Sequence, residues 1–245
     1  MVERNLAKVE VAGSSPVSRS IFLMIKAIIF DLDGTLIDSM SLWRQVDEDF
    51  LTKRGIEVPR DLFDHLPQGN SFIKTAQYFK DRFGLSESVE EIMFIWTDMV
   101  SRQYAQSVQL KPGAANLLRR LKDAGIKIGL GTSNSWQLAE LSLTFNKVWD
   151  MFDVVVSGDM HLRGKPYPDI YLKCAERLAI GPKHCIVVED TLTGVQAGKA
   201  AGMHVIAIDD PDSFEQLEQI KALADVFVAD YTELSRELQR RDIRI

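Results

Sequence analysis

The chain has 245 residues, 46% of them hydrophobic and 26% charged, a globular composition long enough for one large domain or a core domain carrying an insertion. A net charge of -6 supplies no general basic field for nucleic acid or an anionic membrane, and the two cysteines, Cys174 and Cys185, form neither a metal-type spacing nor a disulfide framework, which suits a reducing cytoplasm. The apolar run at 21–30 is interrupted by Lys26, is far too short to span a bilayer and has no small-residue cleavage site after it, so neither an anchor nor a secretory signal is expected.

In chain order, residues 1–23 are expected to be a leader outside the fold. Their stretch VEVAGSSPVSRS has neither helical nor strand periodicity and resembles translation assigned through the end of a transfer-RNA gene. Met24, which opens MIKAIIFD, is then the expected native start. From there, short apolar runs at 25–30, 126–130, 154–156, 185–188, 205–208 and 226–228 alternate with helical stretches such as 114–124, 169–179 and 194–201, which end at or near Gly125, Gly181 and Gly202. Buried-looking strands alternating with helices predict an α/β fold, a Rossmann-like parallel sheet covered on both faces.

The interval from 40 to about 109 breaks this alternation. Leu42, Val46 and Phe50 recur at helical spacing, as do Phe72, Ala76, Phe79 and Phe83, and then Ile92, Trp96 and Met99. Turn-like RGIEVPRD and HLPQGNS separate these stretches, and Lys111-Pro112-Gly113 marks the return. The expected organisation is a catalytic core at 24–39 and 108–245 with an all-helical cap domain at 40–107. Trp43, Phe72, Phe79 and Trp96 are expected as cap core, and His65, Gln68, Asn70 and Lys74 form a polar region that could face the site. Ser39 stands at the hinge, and the charged tail SRELQRRDIRI reads as a solvated terminal helix.

Ligands of open parallel sheets bind beyond the carboxyl ends of the strands. The residues just past each apolar run are therefore informative: Asp31 and Asp33 after the first, Thr132, Ser133 and Asn134 after the second, Lys165 after the third, Glu189 and Asp190 after the fourth. Residues i and i+2 leaving a strand point to one side, so Asp31 and Asp33 can serve one site. Crowded carboxylates repel, by about 4 kcal/mol per pair at ~4 Å and an effective dielectric of ~20, and clustered hard oxygens are what Mg²⁺ takes. A hydroxyl and a lysine beside them suit a phosphate.

Four segments carry a specific resemblance. Asp31-Leu32-Asp33-Gly34-Thr35 is similar to the signature of the haloacid dehalogenase superfamily, IGLGTSN to its second motif, GKPYPD to its third and VVEDTLTG to its fourth, in the family's order. The insertion falls where the β-phosphoglucomutase-like subfamily carries its cap. This resemblance implies that Asp31 is the nucleophile, forming an aspartyl-phosphate, and that Asp33 protonates the leaving alcohol and later activates water. It further implies a metal site made of Asp31, the Asp33 carbonyl and Asp190 with help from Glu189. Gly34, Thr132, Ser133, Asn134 and Lys165 would contact the phosphate. Asp169 is better explained as the cap of the following helix. The expected activity is a Mg²⁺-dependent phosphatase acting in the cytoplasm on a small phosphorylated metabolite, a sugar phosphate being one candidate, with no nucleic acid, membrane or obligate protein partner. A phosphomutase is the alternative. A dehalogenase would not need Asp33, Glu189 and Asp190, and a catalytically silent binding protein should have lost some of these parts.

Overall fold

Because residues 27–30 of the first apolar run and 185–188 of the fourth are all buried, they sit at the centre of a sheet. The computed structural model describes residues 24–62, 71–241 and 243; residues 1–23 and 63–70, with His65, Gln68 and Asn70, lie outside the described residues. In chain order the elements are β1 (Ala27–Phe30), α1 (Met40–Thr52), α2 (Phe72–Phe83), α3 (Val89–Gln106), α4 (Ala114–Asp123), β2 (Lys127–Gly131), α5 (Trp136–Phe145) and β3 (Val154–Val156). They continue with α6 (Asp169–Leu178), β4 (Cys185–Glu189), α7 (Leu192–Ala200), β5 (His204–Ile208), α8 (Leu217–Leu223), β6 (Val226–Val228) and α9 (Tyr231–Arg240).

The strands form one 6-stranded sheet in the order β3-β2-β1-β4-β5-β6, and every pairing is parallel. Strand alternation sorts the core into two layers. Ile28, Phe30, Ile186 and Val188 pack with α4, α5 and α9, whereas Ala27, Ile29, Cys185 and Val187 pack with α6 and α7. The chain runs outward from β1 through β2 to β3 and then returns to the other side of β1 as β4. The strand order reverses between β1 and β4, and this opens a crevice at their carboxyl ends.

The helices α1, α2 and α3 are inserted between β1 and β2 and make a helical cap. Its centre is aromatic: Trp96 meets Phe79 edge-on at 4.9 Å between centroids and Phe50 at 5.5 Å. Ser71 caps α2, and Ser88 with Glu91 forms a capping box on α3. The outgoing and returning chains run side by side. Asp38 N–H donates to the Gln109 carbonyl at 3.2 Å and Lys111 N–H to the Leu36 carbonyl at 2.8 Å, so both connections cross at one place.

Several local expectations differ from the observed fold. The tail SRELQRRDIRI is not solvated throughout, because Leu238 and Ile243 are buried, continuing the buried stripe of Tyr231 and Leu234 on α9. Asp169 is not the cap of α6. Pro168 holds that position, and Asp169, in the first turn, pairs with Arg163 at 2.7 Å. The helix α5 comes after Thr132-Ser133-Asn134 with Ser135 as its cap.

Candidate active site

The crevice brings together Asp31, Lys165, Glu189 and Asp190, all buried. Asp31 directly follows β1, and its N–H still donates to the Val188 carbonyl of β4 at 3.0 Å, so the strand pairing fixes its backbone. Lys165 reaches in from the loop before α6 and donates at 2.5 Å to Asp31 Oδ1 and at 2.5 Å to Glu189 Oε1. Glu189 is fully engaged. Tyr171 O–H donates to Oε1 at 2.8 Å, and Oε2 accepts from the N–H groups of Asp190 and Thr191, both at 2.9 Å, and from the Thr191 hydroxyl at 3.0 Å. A Cβ on Gly194 would lie 1.7 Å from Glu189 Oε1, so the start of α7 has glycine where the carboxylate must fit.

Asp190 is held from the opposite side, where the Thr35 hydroxyl donates to Oδ1 at 2.6 Å. Gly34 lies beneath it at φ +80, and a Cβ there would stand 2.3 Å from Asp190 Oδ2. Gly34→Ala is therefore expected to destabilise the fold by about 1–3 kcal/mol, combining left-handed backbone strain with displacement of a buried carboxylate. A drop in the denaturant midpoint at unchanged slope checks it; an unchanged midpoint would show that the turn relaxes freely.

One ligand oxygen from each of Asp31, Glu189 and Asp190 lies within 4.8 Å of the others. Burial raises the Asp31 carboxyl to about 7 against the pull of Lys165, with Glu189 adding to the rise. Burial, Glu189 and Asp31 push Asp190 well above the usual range. For Glu189, burial acts upward, yet Lys165 and the donors around it hold the group below its ordinary value. Three carboxyl groups thus share one ammonium: Glu189 keeps its charge beside Lys165, and Asp31 and Asp190 resist ionisation for want of a second cation. Hard anionic oxygens in this number fit a hard dication such as Mg²⁺.

The Asp33 carboxylate stands apart from that cluster and faces the cap. Its Oδ1 accepts from Ser39 Oγ at 2.6 Å, from Trp43 Nε1 at 3.4 Å and from the Tyr104 hydroxyl, and its Oδ2 accepts from Asn134 Nδ2 at 3.1 Å. Trp43 comes from α1, Tyr104 from α3 and Asn134 from the loop after β2, so one carboxylate ties cap to core. The Thr132 N–H donates to the Val156 carbonyl at 3.0 Å, and the Ser133 carbonyl accepts from Phe72 N–H at 3.0 Å, a main-chain link from the core loop to α2.

Between core and cap lies a cavity of about 460 Å³. Asp31, Asp33, Thr132, Ser133, Asn134 and Lys165 line its core side. Trp43, Phe72 and Trp96, expected only as cap core, also line it, and so does Asp47. Lys74 is exposed on α2 and does not line it. Asp47 is buried, and that burial, with Glu48 beside it, pushes its carboxyl up to about 7. Reading the chain alone assigns no role to Thr35, Tyr171, Tyr104 or Asp47. Only Thr35 carries a signal there, its place in the first motif.

Comparison with known proteins adds an independent line. A family model described as haloacid dehalogenase-like hydrolase matches residues 28–208. Hexitol phosphatase B of Escherichia coli (strain K12) is 31% identical over 216 residues, covering 86% of this chain and 95% of the relative. A CbbY variant from Rhodobacter sphaeroides, solved in complex with xylulose-(1,5)bisphosphate, matches with a TM-score of 0.76 at 27% identity, over 86% of this chain and 96% of that one. β-Phosphoglucomutase from Clostridium difficile, with a TM-score of 0.71 and 23% identity over 89% of this chain and 97% of that one, shares the fold.

Proposed function

Because the chain belongs to the haloacid dehalogenase-like hydrolase family, we propose that it is a Mg²⁺-dependent phosphatase that hydrolyses a small phosphorylated metabolite through an aspartyl-phosphate on Asp31. The observation that carries this reading is the pairing of Asp31 with Lys165 at the mouth of a cavity that Asp33 also lines. Lys165 fixes the rotation of the Asp31 carboxylate, whose oxygen attacks phosphorus in line. The bond from phosphorus to the alcohol oxygen breaks as Asp33 gives that oxygen a proton. Asp33, now ionised, takes a proton from the water that attacks the aspartyl-phosphate; phosphate leaves and both carboxyl groups return to their starting forms. Thr132 and Lys165 hold the phosphoryl oxygens. Asp31, Asp190 and the Asp33 carbonyl would hold Mg²⁺, which when bound offsets the repulsion between a carboxylate and a phosphate. Glu189, whose oxygens are already taken, acts behind them by fixing Lys165 and the turn that carries Asp190.

Hydrolysis is favoured over phosphoryl shuttling by the charge of the cavity wall. A mutase must hold a second phosphate at the far end, and among the described lining residues the sole cation is Lys165, already paired with two carboxylates. The test is phosphate release from a panel of sugar, polyol and nucleotide monophosphates. Turnover is expected with Mg²⁺, to fall to background with a chelator and to return when Mg²⁺ is restored. Activity that survives chelation, or no release from any ester, would overturn the reading.

A further inference from the structure

The cap wall contains an acid that the phosphoryl chemistry does not use. Asp47 lies on the inward side of α1, only 7% exposed, and it lines the same cavity as Asp31 and Thr132. No side chain among the described residues donates a hydrogen bond or an ion pair to it. A carboxyl group withdrawn from water without a donor is unfavourable, so the matching donor is best supplied by the ligand. The same cavity is lined by Trp96, whose buried indole N–H also has no partner among the described residues.

We propose that Asp47 determines specificity by accepting hydrogen bonds from the alcohol part of the ester, and that this part is an uncharged polyol, with a second phosphate or carboxylate excluded. The proposal rests on the phosphatase reading and names its substrate class. Two further observations point the same way. The cavity that Asp47 lines also offers neutral hydrogen-bonding side chains, Ser71 and Thr75 from the cap side and Thr193 and Gln216 from the core, which match hydroxyls. Positive charge is scarce among the described lining residues, where the sole cation, Lys165, is committed to Asp31 and Glu189. A second anion bound beside Asp47 would find no uncommitted ammonium or guanidinium among the described lining residues, and it would also lose its own water. This differs from the bisphosphate of the CbbY complex.

The test compares kcat/KM on four esters: a hexitol 6-phosphate, a hexitol 1,6-bisphosphate, phenyl phosphate, which has no hydroxyls, and phosphoethanolamine, which has a positive charge. Wild type is expected to prefer the hexitol monophosphate over the bisphosphate by at least about tenfold. In Asp47→Leu, the ratio of hexitol phosphate to phenyl phosphate should fall by about tenfold or more, because Leu fills the space without accepting a hydrogen bond. Assayed above pH 7, where Asp47 is ionised, Asp47→Asn, which keeps the shape and an acceptor but removes the charge, should restore much of that ratio and narrow the discrimination against the bisphosphate. Should Asp47→Leu fail to fold, the bisphosphate discrimination of Asp47→Asn still decides. An unchanged hexitol-to-phenyl ratio, or a wild-type preference for the bisphosphate or phosphoethanolamine, overturns the proposal while leaving the phosphatase reading intact. Inactivity of wild type on every ester defeats that reading, and the proposal with it.

Discussion

Asp31→Asn is expected to lower phosphate release by about 10⁴-fold or more, because the amide is not a nucleophile and no neighbour can replace it. Asp33 is held by Ser39, Trp43, Tyr104 and Asn134 on the cap side, and Asp190 by Thr35 over Gly34, so neither stands where Asp31 does. The variant should nevertheless fold well. The buried Asp31 carboxyl is raised to about 7, so its ionised form is disfavoured in the native state relative to the unfolded chain. A carboxyl with a raised native value weighs increasingly against the fold as pH climbs from about 3.9, its unfolded value, toward the native one. The stability of metal-free Asp31→Asn relative to wild type should therefore improve across that window and level off near 7. Melting temperatures of both proteins at several pH values check this, alongside phosphate release. Substantial residual turnover would move the nucleophile elsewhere, and a large loss of stability would show that the pair with Lys165 outweighs desolvation.

Much of this arrangement could be read from the chain because strand ends announce themselves. The apolar β1 and β4 are each followed by acids, and a parallel sheet places the carboxyl ends of all its strands on one side, so topology alone brings Asp31, Glu189 and Asp190 together. The roles inside the cluster were less legible. Whether Glu189 faces a metal or a lysine depends on Tyr171 and on the tight fit over Gly194, and no spacing in the sequence encodes either contact. The partners of Asp33 are equally remote, since Tyr104 approaches from a helix 71 positions away. Asp47 was hidden for a different reason. It sits in Asp47-Glu48-Asp49, which reads as a solvated acidic face, and only the roll of α1 against the cavity buries the first of the three. The tail illustrates the converse: Tyr231, Leu234 and Leu238 do follow helical spacing, but the charges crowding 235–245 conceal it once the first two are left out.

Lys165→Met should be the most destabilising substitution in the site. The lysine is 5% exposed and is the cation that bridges Asp31 and Glu189, at 2.5 Å from each. Methionine fills similar space without charge, leaving both carboxylates buried beside a third, Asp190. Removing one member of a buried ion pair typically costs about 3–5 kcal/mol, chiefly because the remaining charge is uncompensated. A loss of that size is expected near neutral pH, read from the denaturant midpoint. The sign of its pH dependence follows from Glu189. In wild type its carboxyl is held below the usual range, so it contributes stability above its unfolded value of about 4.3 that is lost as pH falls through its native value. Without Lys165 that contribution disappears, and protonation becomes the only relief, so the gap between variant and wild type should narrow as pH falls from 7 toward 4. Turnover should fall by about 10³-fold even in the folded fraction, since both the orientation of Asp31 and a phosphoryl contact are lost. Lys165→Arg should recover little of either, because a planar guanidinium cannot occupy the point between two carboxylates that a compact ammonium fills. Equal stability of Lys165→Met and wild type at pH 7 would mean that the acids are neutral in the folded state, and that the lysine serves the phosphate alone.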